Sequence, residues 1–140
     1  MESLDYLLKI RELSAITKSY DDEYQTLMAR LTSISYRPKE VNVQSSRKDT
    51  LPETIEKMSN VKLLLVEKLG EFAELRCEAE KMVRMIEDYR YQTVIIKYFF
   101  QNKTIEQTAV EMDRSYRWIC DVKRDSIAEF DKVYKKCKKK

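Results

Sequence analysis

The sequence predicts an all-α protein: a long antiparallel coiled-coil helical hairpin over residues 1–87, a C-terminal helix-turn-helix domain over 88–134, and a basic tail over 135–140. Three observations carry that expectation. The 140 residues include one Gly and two Pro, too few of the turn formers that sheets require, while 43% are hydrophobic, more than a disordered chain holds. Apolar residues recur at steps of three and four along two long stretches, the spacing of amphipathic helices. Near the C terminus a capping signal, an apolar-faced segment, a polar interruption and a second apolar-faced segment follow in close succession.

The first helix carries Leu4, Leu7, Ile10, Leu13, Ile16, Tyr20, Tyr24, Leu27, Leu31 and Ile34 on one stripe and ends before Pro38. Residues 35–52 hold no sustained period, are rich in Ser, Arg and Lys, and close on Pro52, which suits the first turn of a helix; they read as a linker. The second stripe runs Ile55, Met58, Val61, Leu65, Leu69, Phe72, Leu75, Ala79, Met82, Ile86, Tyr89. Such a helix makes about ten turns and spans roughly 50 Å. Gly70 alone interrupts its propensity, at about 1 kcal/mol relative to Ala. A stripe this narrow needs a partner helix, so the linker turns the chain back into an antiparallel coiled coil, with association of several chains through the same stripe as the competing arrangement.

The third region opens at Asp88. Tyr91, Val94, Ile95, Tyr98 and Phe99 follow the i, i+3, i+4, i+7, i+8 pattern and make a broad apolar face for a compact core. After a break at Gln101, Asn102 and Lys103, the residues Thr104 and Gln107 have the T-x-x-Q spacing of a capping box, so a helix starts there with Ile105, Ala109 and Met112 inward. Asp113, Arg114 and Ser115 interrupt it, and Ser115 caps the last helix, which buries Ile119, Val122, Ile127 and Phe130.

Charge divides unevenly. Residues 88–140 hold 13 Lys+Arg against 8 Asp+Glu, a balance of +5, whereas residues 1–87 balance at −2. The basic end is therefore the end with the paired helices, as a nucleic-acid-binding module would show, although five of those charges are lysines of the terminal KKCKKK run, a solvated tail that adds sequence-independent phosphate attraction. The longest apolar run is Leu63 to Val66, so neither a signal peptide nor a membrane span is expected. Cys77, Cys120 and Cys137 are odd in number, widely spaced and accompanied by no histidine, which argues for reduced thiols in a cytoplasm and against a disulfide framework or a zinc site. No histidine for acid–base work, no glycine-rich phosphate loop and no nucleophile beside a recognisable base are present, so no enzyme and no cofactor are expected.

A helix-turn-helix needs a small residue where its helices cross and apolar residues one turn later and again in the second helix. Ala109, then Met112, Ile119 and Val122, supply them, and Asp113 occupies the turn position where a left-handed backbone is needed; Thr108 and Arg114 are polar where apolar residues are usual. The segment NKTIEQTAVEMDRSYRWICDVKRDSIAEF resembles region four of bacterial sigma factors, matching T-[LI]-x-[EQ]-x-[AG]-x-x-[MF]-x-x-[ST]-x-x-x-I-x-x-[IV] without a gap. With DYRYQTVIIKYFF before it, and a coiled-coil N-terminal half joined through VQSSRKD, the chain resembles the ArpU/RinA-type regulators of Gram-positive bacteriophages and prophages.

That resemblance implies a phage-encoded activator of late genes acting on double-stranded DNA in the bacterial cytoplasm, with Tyr116, Arg117, Cys120, Asp121 and Arg124 on the DNA-facing side of the second helix. Helical geometry independently directs Arg117, Asp121 and Arg124 away from the core, where arginine can donate to guanine O6/N7 or to phosphate. Ser115 offers backbone N–H groups to a phosphate at the helix start, and Lys123 completes the candidate set. Cys120 and Asp121 depart from the sigma pattern, which has basic or amide residues there, so no sigma-type promoter sequence follows. Two alternatives stand beside the regulator: a small-terminase-like DNA-packaging subunit that assembles a ring, and an adaptor that binds RNA polymerase without reading DNA. A homo-oligomer is expected, with host RNA polymerase as a further partner.

Overall fold

A computed structural model describes residues 2–36 and 51–138. Among these residues there are five α-helices and no strand: α1 (Glu2–Tyr36), α2 (Leu51–Arg84), α3 (Tyr89–Ile95), α4 (Ile105–Met112) and α5 (Tyr116–Lys138). α3 runs on into a π-helical turn, Ile96–Phe100. Most of the expected linker, with its VQSSRKD motif, and the last two tail residues lie outside the described residues.

The chain divides into two compact units, Met1–Ala15 with Gly70–Lys140, and Ile16–Leu69, so the expected boundary at residue 87 falls inside the first. In the second unit Leu27 of α1 packs with Met58 and Val61 of α2, flanked by Tyr20, Tyr24 and Leu31. In the first unit Leu7 and Ile10 of α1 pack with Ala79, Met82, Val83 and Ile86 of the α2 end, together with Ile95, Phe99, Phe100 and Phe130. Each unit by itself is consistent with a helical hairpin of α1 and α2.

The inner face of α2 departs from the expected stripe in three places. Ile55 and Leu69 are 48% and 45% exposed, and the fully buried residue near the start is Thr54, one position earlier. Tyr89 does not continue the helix at all: α2 stops at Arg84, the amides of Met85 and Ile86 bond back to the Met82 and Val83 carbonyls at 3.0 Å, and Tyr89 opens α3 with its side chain 76% exposed. Asp88 caps that new helix, its carboxylate accepting from the Arg90 amide at 2.9 Å.

The π turn explains the core of the first unit. The Gln101 amide reaches the Ile96 carbonyl, five residues back, at 3.0 Å, so one extra residue is wound into the turn. Ile95, Phe99 and Phe100 all point inward as a result, with Phe100 only 1% exposed.

α5 extends well past Phe130, and residues 135–138 of the expected solvated tail are its last turn. The C-terminal part of α5 is tied down: the Ser3 hydroxyl donates to Asp131 at 2.6 Å, the Tyr6 ring stacks on Phe130 with centroids 6.4 Å apart, and in the last turn Lys138 pairs with Glu78 at 2.9 Å. Among the described residues no helix is long and apolar enough to cross a membrane.

Candidate nucleic-acid interface

α4 and α5 are joined by three residues whose geometry is set locally. The Thr104 hydroxyl accepts from the Gln107 amide at 3.1 Å while the Gln107 side chain accepts from the Thr104 amide at 2.9 Å, a reciprocal cap. At the other end Asp113 adopts φ 56°, ψ 48°, and the Arg114 amide closes on the Ala109 carbonyl at 3.0 Å. An aspartate tolerates this left-handed geometry better than most residues, so the turn forms without a glycine. The Ser115 hydroxyl then accepts from the Trp118 amide at 3.1 Å and starts α5.

A small core holds the pair together: Val94, Ala109, Ile119 and Val122 are buried, with Ile105, Met112 and Trp118 against them. Thr108, polar where an apolar residue is usual, is fully buried, because its hydroxyl donates to the Thr104 carbonyl at 2.9 Å. Arg114, the other polar departure, stays exposed and lays its guanidinium over the Trp118 ring, 4.9 Å from the centroid.

Of the seven candidates, Arg117, Asp121 and Arg124 lie on the outer face of α5, within about 60° of one another at 100° per residue. Ser115 and Tyr116 are exposed at the helix start, Tyr116 by 53%, and Cys120 is half-buried on the flank. The Tyr116 hydroxyl is pushed above its ordinary pKa, first by the Cys120 thiol and then by Glu106. Lys123 does not join this face. Its ammonium lies 4.1 Å from the Tyr98 ring centroid, and its position more than a quarter of a turn from Arg124 draws the lysine stem over the aromatic.

The positive charge of the region is largely committed. Lys97 and Lys103 both donate to Glu111 at 2.6 Å, Arg90 pairs with Asp88 at 2.8 Å, and Lys132 and Lys135 pair with Glu129 and Asp131 at 3.0 and 3.1 Å. Arg124 lies between two carboxylates, 3.8 Å from Asp121 and 3.5 Å from Asp125. Arg117 makes no ion pair among the described residues, and neither does Lys136 in the last turn. No group of His, Cys, Asp or Glu among the described residues could hold a metal ion, and the three cysteines are free.

Comparison with family models, with curated proteins and with solved structures returned no match.

Proposed function

We propose that this chain is a sequence-specific DNA-binding transcriptional regulator in which α4 and α5 form a helix-turn-helix and α5 enters the major groove. The observation that carries the reading is Arg117. It projects from the first turn of a capped helix, on the face opposite Ile119 and Val122, without a carboxylate to neutralise it. Recognition helices place their base-contacting side chains at that position, where an arginine donates to guanine O6/N7.

The resemblance to sigma region four and to ArpU/RinA-type regulators adds activation of phage or prophage late genes. On this reading the α1–α2 hairpin is a coiled coil that joins protomers or meets host RNA polymerase. A specific observation favours a second reading: Asp121 and Asp125 leave the α5 face close to neutral, as suits an adaptor that binds polymerase and does not read DNA.

Selection of fragmented source-genome DNA by the purified protein separates the two. Enrichment of one intergenic fragment supports the regulator and supplies its target. Recovery of no fragment, or of all fragments alike, removes the reading, and capture of RNA polymerase in its place supports the adaptor.

A further inference from the structure

We infer that Asp121, the one of the two carboxylates beside Arg124 that shares its outward face, disfavours contact of the α5 face with the DNA backbone and so sets its specificity. The inference rests on the reading of that face as DNA-binding. Asp121 and Asp125 bracket the Arg124 guanidinium at 3.8 and 3.5 Å, and all three side chains are half or more exposed. No hydrogen bond locks the cluster, so it can rearrange on a ligand, and its net charge is −1.

Two kinds of contact respond oppositely to such a cluster. Phosphate oxygens attract a bare arginine whatever the sequence, but are repelled by a carboxylate beside it, which lies well inside a Debye length of about 10 Å. A base edge carries donors and acceptors together: the carboxylate accepts from the cytosine amino group while the arginine donates to guanine. Asp121 therefore penalises backbone contact and spares base contact. The same device recurs at the edge of the module, where Glu111 holds Lys97 and Lys103. It explains why a region with so many basic residues offers few free cations.

The test is binding of a random-sequence DNA duplex across a salt series, read by fluorescence anisotropy. Asp121→Asn is expected to tighten binding by about three- to tenfold and to steepen the slope of log affinity against log salt by about 0.9, one released counterion. Asp113→Asn makes the same change in net charge at a residue in no ion pair among the described residues and keeps the left-handed turn, so it should leave the slope unchanged. Adding Arg124→Ala to Asp121→Asn should restore the original slope. An unchanged slope in Asp121→Asn, an equal effect of Asp113→Asn, or a steep slope that survives loss of Arg124 overturns the inference while leaving DNA binding intact. Absence of duplex binding by the native chain and by every variant overturns the reading beneath it.

Discussion

The guanidinium of Arg11 lies 3.9 Å over the Tyr98 ring, and its Nη1 donates to the carbonyls of Tyr98 and Lys103, the latter at 3.1 Å. Arg11 thus ties the first helix to the end of the π turn and to the residue before the Thr104 cap, while Lys123 of α5 lies against the same ring. Replacing Arg11 by Met leaves two partly buried carbonyls unsatisfied, at about 1–3 kcal/mol. Urea denaturation should show that loss. Lysine keeps the charge but not the planar fork, and should recover only part of it.

Gly70 lies inside α2 with ordinary negative φ, and a Cβ built there meets nothing within 4 Å. Gly70→Ala should therefore stabilise the protein by up to about 1 kcal/mol, read as a rise in melting temperature. A fall would mean that the open space is filled by something these contacts do not include.

Thr104→Ala removes the hydroxyl that accepts from the Gln107 amide and should cost about 1 kcal/mol. Thr108→Val, close by, should cost less, because the Thr104 carbonyl it abandons still accepts from the Thr108 amide at 3.0 Å. Parallel thermal melts of the two variants give the order directly.

Acid should weaken the fold in part through a few identifiable carboxylates. Lys103 and then Lys97 hold Glu111 below the usual carboxylate range, the Ser3 hydroxyl and then Lys135 do so for Asp131, and Arg90 for Asp88. Each folded pKa is lower than the unfolded one, so the stabilisation is complete above the unfolded value and lost as pH falls through the folded value. Melting temperature should stay level near neutrality and drop below about pH 4. Glu111→Gln should flatten part of that drop; an acid profile identical to the native one would remove Glu111 from the account.

Local signals were the most legible in the sequence. The Thr104–Gln107 cap, the left-handed Asp113 and the Ser115 cap all depend on neighbours a few residues away, and each is where the spacing places it. Most of the stripe of α1 is readable for the same reason, since Leu7, Ile10, Leu13 and Leu27 keep one helical period, although the buried residue between them is Thr17, one position after the expected Ile16, which is half-buried. Phe100 was not, because the π turn breaks that period and turns inward a residue that a regular helix would leave outside. Tyr89 continues the apolar spacing of α2 across a helix break that only Asp88, as a cap, betrays. Among the site candidates Arg117, Asp121 and Arg124 share a face as periodicity requires. Lys123 and the clasp of Arg124 depend on contacts that spacing does not encode, an aromatic from another helix and two competing acids.

The most direct test compares Arg117→Ala with Lys136→Ala on the selected genomic fragment and on a scrambled duplex of equal length, with melting temperatures taken alongside. Loss of Arg117 should cost about 1–3 kcal/mol on the selected fragment and abolish discrimination between the two duplexes, whereas loss of Lys136 should weaken both alike. Undiminished discrimination by Arg117→Ala, at an unchanged melting temperature, would contradict the assignment of the α5 face to DNA.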